Sequence, residues 1–230
     1  MGRYYEKANV LREYLSLRSN NDYLVAENAR LRKSLLESKV GITAPVLEQN
    51  DSLLYHQRYQ YTPANIINCT TNKQYNFITI DKGSLAGIRP EMGVISAEGV
   101  VGIVDNVTEH FSTVISVLNR NIKISGRFKS NKFFGSFEWP GDNYKYGKLN
   151  EIPLHVPVAK GDTILTTGYS SIFPEGIAIG YVDKYKVSGG NFYDIDIRIS
   201  TDFKRITQVY VVTDLMKTEV DSLEIQKSKE

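Results

Sequence analysis

The chain has 230 residues, 41% of them hydrophobic, with 28 Lys and Arg against 26 Asp and Glu for a net charge of +2. That length has room for one to three compact units, the hydrophobic content excludes disorder as the main theme, and the balanced charge leaves no electrostatic footprint for nucleic acid. Cys69 is the only cysteine, which excludes an intrachain disulfide, and no apolar run reaches the roughly 18 residues that a membrane-crossing helix needs.

The chain opens on Met1-Gly2 and passes at once into a helical pattern, so its natural start is expected upstream. From Val10 to Leu35 a seven-residue repeat holds. It places Val10, Leu17, Leu24 and Leu31 at d, and Tyr14, Asn21, Asn28 and Leu35 at a. Leu at d with Asn at a favours a parallel two-stranded coiled coil, because Asn pairs across the seam and penalises other registers. Opposite charges at g and the following e agree, since Glu13 would face Arg18 and Glu27 would face Arg32 of a second copy. The alternative is one amphipathic helix lying on the globular body, and Leu11, Leu15, Val25 and Leu36, off the seam, would support it. Gly41 and Pro45 end the helix, because Gly suits the left-handed residue after a helix and Pro prevents its resumption.

After Pro63 the hydrophobic period switches to two. Strands are predicted over 64–68, 74–80, 92–96, 100–107 and 112–118. Gly83, Gly87 and Gly93 are read as suppliers of the positive φ that sharp corners require. A second set is predicted over 122–128, 132–138, 163–167, 177–182, 192–200 and 208–213. Trp139-Pro140-Gly141-Asp142-Asn143 and Ser188-Gly189-Gly190-Asn191 are turns. The basic residues Arg120, Lys123, Arg127, Lys129 and Lys132 alternate with Ile122, Ile124 and Phe128, which reads as the wet side of strands. Short strands with frequent glycine corners suit small closed barrels.

The chemistry-bearing residues are sparse. Ser170 and Ser171 lie in a Gly-rich loop, and His56, His110 and His155 are the only histidines, so a two-barrel serine peptidase is one alternative. Gly168-Tyr169-Ser170-Ser171-Ile172 is nevertheless not a nucleophile elbow. No catalytic, cofactor or metal site is predicted, since the histidines and Cys69 form no ligand spacing. Aromatics cluster at Phe133, Phe134, Phe137, Trp139, Tyr144 and Tyr146, as at protein interfaces or on a glycan-binding module.

Two glycine-punctuated blocks carry a resemblance. The first runs from Asp81-Lys82-Gly83-Ser84 through Gly87 and Gly93 to Gly99-Val100-Val101-Gly102-Ile103-Val104. The second runs from Gly161-Asp162-Thr163-Ile164 through Thr166-Thr167-Gly168 to Phe173-Pro174-Glu175-Gly176-Ile177-Ala178-Ile179-Gly180. In this order behind a coiled coil, they resemble the rod shape-determining protein MreC family. The resemblance implies a mainly β chain with an N-terminal α-helix: a long coiled coil followed by two small six-stranded β-barrels. Residues 1–40 would be the coil, 41–62 a linker and lead-in strand, 63–120 the first barrel, 121–214 the second and 215–230 a disordered tail. The strands of 192–214 are left open between the two barrels. Gly83, Gly87, Gly93, Gly102, Gly161, Gly168, Pro174, Gly176 and Gly180 form the barrel-corner motif. The resemblance further implies a non-enzymatic scaffold of the bacterial elongation complex, anchored by an upstream membrane helix and facing the periplasm or extracytoplasmic side. Its implied partners are a second copy, the elongation-specific penicillin-binding transpeptidase, MreD, RodA and MreB.

Overall fold

The structure is a computed structural model that describes residues 27, 28, 30, 31, 58–188, 190–217 and 219. The chain divides into two units, 1–57 and 58–230. In the first, Glu27, Asn28, Arg30 and Leu31 are helical. Of the expected seam, Asn28 and Leu31 are exposed, while Val10, Tyr14, Leu17, Asn21, Leu24 and Leu35 lie outside the described residues. Glu27 was expected to face Arg32 of a second copy; within this chain Arg30 Nη2 donates to its Oε1 at 2.9 Å. That hydrogen bond holds the Glu27 carboxyl below the usual carboxylate range.

The second unit contains twelve strands in two closed six-stranded barrels. The first barrel comprises β1 (Tyr59–Cys69), β2 (Tyr75–Ile80), β3 (Gly93–Ile95), β4 (Val100–Val107), β5 (Ser112–Asn119) and, from the end of the chain, β12 (Gln208–Asp214). Its order is β1-β12-β3-β4-β5-β2. The second comprises β6 (Lys123–Phe128), β7 (Phe134–Glu138), β8 (Tyr146–Pro153), β9 (Thr163–Thr166), β10 (Ala178–Ser188) and β11 (Phe192–Ile199), in the order β10-β11-β8-β7-β6-β9. Every strand pairs antiparallel on both sides, so neither barrel leaves an open edge.

The stretch left open over 192–214 is therefore divided. β11 closes the second barrel and β12 returns to the first, between β1 and β3. β1 begins at Tyr59, before Pro63, because one missing N–H removes only one ladder bond from a strand that pairs on both sides. β8 was not expected. Its run carries Gly147 and Pro153, and Glu151, at φ +69, interrupts the alternation of buried and open positions. Of the stretch expected as a tail over 215–230, Leu215, Met216, Lys217 and Glu219 are described. The Leu215 N–H donates to the Arg58 carbonyl at 2.8 Å, and Lys217 Nζ reaches Glu91 Oε2 at 2.7 Å.

The second barrel shows how the alternation works. Inside, Ile124, Phe137, Leu149 and Ile195 stand opposite one another across β6, β7, β8 and β11, all buried. Gly147 makes room for them, since a β-carbon there would run into the Phe137 ring. One position along, facing out, Lys123, Glu138, Lys148, Asp196 and Lys184 form a ladder of alternating charge across five strands. Lys148 Nζ lies 2.6 Å from Asp194 and 3.7 Å from Asp196, and Lys123 Nζ lies 3.5 Å from Glu138. Each such surface pair contributes about 0–1 kcal/mol. Together they make this wall wet and self-neutralised.

Candidate interaction site

The two glycine-punctuated blocks meet in space at the joint between the barrels. Thr166 Oγ1 donates to the Pro174 carbonyl and accepts the Ile177 N–H at 2.9 Å, which folds 174–177 into a tight loop. Phe173 and Pro174 are thereby buried. The Phe173 ring lies against Gly93 of β3: a β-carbon on Gly93 would sit 2.8 Å from the ring and collide with the Ile172 carbonyl. One β-hairpin turn away, a β-carbon on Gly99 would collide with the Ala178 carbonyl.

Polar contacts finish the joint. Thr201 Oγ1 donates to the Val100 carbonyl at 2.9 Å and lies 3.3 Å from Ser96 Oγ. The Asp202 N–H donates to Glu98 Oε2 at 2.8 Å. Ser96, Thr201 and Phe203 are all buried.

This placement corrects the expected role of several glycines. Gly87, Gly161, Gly168 and Gly176 do take positive φ, between +76 and +90. Gly83, Gly93, Gly102 and Gly180 do not. They are glycines because another backbone passes too near for a β-carbon: that of Thr108, Ile172, Ile115 and Arg198, respectively.

The expected aromatic cluster is split by the barrel wall. Phe137 and Trp139 are buried, and Trp139 Nε1 donates to the Asn143 carbonyl at 2.9 Å. Phe133 and Phe134 are exposed. Tyr144 and Tyr146 fall at the opposite end of the hairpin, half-buried.

Phe133 belongs to a larger apolar surface. It packs edge-on against His155, with centroids 5.6 Å apart, while Phe134 packs against Tyr169 at the same separation. The β10–β11 hairpin completes the surface. Tyr185 meets Tyr193, whose hydroxyl donates to the Leu154 carbonyl at 3.2 Å, and Phe192 pairs with Pro153. From Lys184 to Val187 both faces of β10 are exposed, so the hairpin projects past the barrel. Tyr169, at 76%, is the most exposed of these aromatics. β10 and β11 meet the first barrel at Ala178 and Ser200, so their hairpin marks the end of the second barrel far from the joint. Tyr185, Val187 and Phe192 had not been singled out. The signal available was the alternation of Tyr185 and Val187 with Lys184 and Lys186, in a run too short to separate from a loop.

A second apolar strip crosses the first barrel, where Phe77, Ile115 and Ile103 stand opposite one another on β2, β5 and β4. Phe77 and its neighbour Tyr75 are 41% and 48% exposed.

Among the described residues, the groups a peptidase would need are not brought together. His155 packs on Phe133 in the second barrel and His110 on Phe111 in the first; His56 lies outside the described residues. No hydrogen bond joins Ser170 or Ser171 to a histidine among the described residues. Among those residues there is also no group of three metal-ligating side chains, and no helix long and apolar enough to cross a membrane.

Residues 66–213 match the family described as rod shape-determining protein MreC, barrel core. The chain belongs to the MreC family. It is similar to the cell shape-determining protein MreC of Listeria monocytogenes, 26% identical over 183 residues covering 78% of this chain and 58% of that protein. The Bacillus subtilis protein of the same name is 31% identical over 179 residues, covering 68% of this chain and 60% of that one. The chain thus spans under two thirds of the length of these relatives. Among solved structures, MreC of Pseudomonas aeruginosa superimposes with a TM-score of 0.62 at 20% identity, covering 67% of this chain and 99% of that one. MreC from the complex between a penicillin-binding protein, PBP2, and MreC of Helicobacter pylori gives 0.56 at 14%, covering 69% and 99%. Both show the shared double-barrel fold. MreC relatives are cell shape-determining proteins, and one solved structure is of a major periplasmic domain.

Proposed function

We propose that this chain is the extracytoplasmic part of a non-enzymatic scaffold that positions a lateral cell-wall synthase. The observation that carries this reading is the exposed aromatic end of the second barrel, in a family with a member solved in complex with a penicillin-binding protein. Its partner is the elongation-specific penicillin-binding transpeptidase. Large aromatics bury much area at small entropic cost and dominate interface energies. A scaffold biases a synthase by binding one of its conformations more tightly than another. The packed joint supports the role, because barrels joined by these contacts present their surfaces together.

In this reading the heptad region from Val10 to Leu35 pairs two copies in parallel and lifts the barrels from the membrane. An anchor helix upstream, MreD and RodA in the membrane, and MreB across it complete the assembly, by family resemblance.

The test is binding of the purified chain to its cognate transpeptidase. Wild type is expected to bind and stimulate it, and Phe133→Ser with Phe192→Ser is expected to weaken binding by roughly 30-fold or more, the scale of a lost aromatic anchor. Wild type that neither binds nor stimulates the enzyme sinks the reading, as does labelling of Ser170 or Ser171 by an active-site serine probe. Sizing the chain beside a version beginning at Ala44 tests the coil: only the shorter form is expected to be monomeric.

A further inference from the structure

The charged wall of the second barrel neutralises its own lysines, but its edge beside the joint does not. At that edge Arg198 of β11 stands opposite both Tyr181 of β10 and Tyr146 of β8. Its guanidinium lies 5.7 Å from the Tyr181 ring centroid. One turn away, Lys204 and Lys145 lie 4.5 and 5.7 Å from the Tyr144 ring. Arg120 lies along Gly141 in the same turn, where its Cδ would be 3.3 Å from an added β-carbon.

Arg120, Lys145, Arg198 and Lys204 are all exposed, and none has a carboxylate within 4.0 Å among the described residues. The nearby acids are Asp142, exposed in the turn, Asp202, and Glu98, whose Oε2 accepts the Asp202 N–H at 2.8 Å. Asp202 is already engaged, accepting the Lys204 N–H at 3.1 Å and pairing with Arg205 at 3.7 Å. Four unneutralised cations beside three tyrosines are concentrated in a chain whose net charge is only +2.

We propose that this edge binds a carboxylate-bearing glycan, the chemistry of a peptidoglycan strand. The ring surface left open beside the cations meets the C–H side of sugars, and the cations take the free carboxylates of the peptide branches, the lactyl carboxyl being tied up in its amide to the peptide. The interleaving argues for a ligand that alternates rings and acids. An apolar protein surface would leave four cations desolvated and unpaired. The choice of glycan rests on the scaffold reading given above. The edge lies at the joint end of the barrel and the β10–β11 hairpin at the far end, so one molecule can hold a synthase and touch its polymer together.

The experiment is co-sedimentation of the purified chain with purified cell-wall sacculi, alongside transpeptidase binding by the same preparations. Wild type is expected to pellet with sacculi and to be released by salt. R198E with K204E changes exposed side chains only; it is expected to keep the wild-type melting temperature and transpeptidase binding, while sacculus binding falls about ten-fold. Tyr144→Ala is expected to weaken pelleting at unchanged charge. Phe133→Ser is expected to pellet as wild type does. Wild type that stays in the supernatant, or a charge-reversed variant that pellets equally well, overturns the proposal. Equal binding to anionic phospholipid vesicles overturns it too, since the edge would then be a general anion surface. Sacculus binding that persists where wild type ignores the transpeptidase would defeat the scaffold reading and leave this one standing.

Discussion

Arg58 and Asp214 hold the two ends of the double-barrel unit together. Arg58 Nη2 donates to Asp214 Oδ2 at 3.1 Å, and the Asp214 side chain is 1% exposed although Arg58 is 43% exposed. The same carboxylate accepts the Met216 N–H at 3.0 Å. The hydrogen bond raises the Arg58 pKa above its usual value. The residue that leads into β1 is thus tied to the residue that ends β12, next to β1 in the first barrel.

Removing one partner should expose this dependence. Arg58→Ala leaves a buried carboxylate short of its cation and is expected to cost about 1–3 kcal/mol. Asp214→Asn in the same background is expected to recover part of the loss. A double-mutant cycle by urea denaturation measures the coupling; additive losses would show that the pair does not hold the ends together.

The joint should be sensitive to volume at Gly93. Gly93→Ala puts a methyl into the Ile172 carbonyl and the Phe173 ring. The expected loss is about 1–3 kcal/mol, as for overpacking elsewhere. Gly87→Ala has open space and pays only for its φ of +79, so it is expected to cost about 1–2 kcal/mol. Pairing Gly93→Ala with Phe173→Leu should recover only the part lost to the ring, since the Ile172 carbonyl stays in place, whereas Gly87→Ala with Phe173→Leu should recover nothing. Thermal melts of the four variants decide it.

Asn76 closes the first barrel from within. It is fully buried, and its Nδ2 donates to the Leu118 carbonyl at 2.7 Å and the Lys73 carbonyl at 2.6 Å. Its Oδ1 accepts the Lys73 N–H at 3.0 Å. Asn76→Leu strands these backbone groups and is expected to cost about 1–3 kcal/mol. Hydrogen exchange at Lys73 should accelerate in the variant; unchanged protection there would contradict this assignment.

The charge ladder makes stability depend on pH. Lys148, and more weakly Lys186, hold the Asp194 carboxyl below the usual carboxylate range. A depressed carboxyl contributes stability that is present above its unfolded value, about pH 4, and is lost as pH falls through the lower folded value. Asp194→Asn should therefore flatten the fall in melting temperature below about pH 4. Lys148 is shifted up, chiefly by its hydrogen bond to Asp194, so its contribution is present below about pH 10 and lost above its folded value. Melting curves across both limbs, wild type against Asp194→Asn, check the two signs.

What the amino-acid order determined by itself was local. Alternation marked most of the strands, because a side chain's face follows from its place in an extended chain. β8 escaped, since the break at Glu151 and the small Gly147 hide the period. The order of the two glycine blocks sufficed to suggest the family. Only the tertiary structure decided where β12 pairs, because that choice depends on strands far away in sequence. It alone showed that Gly93 exists to admit the Ile172 carbonyl and the Phe173 ring, a steric fact between residues with no local relation. It also separated Phe137, inside, from Phe134, outside: both read as aromatic strand residues, and only barrel closure settles which face loses water.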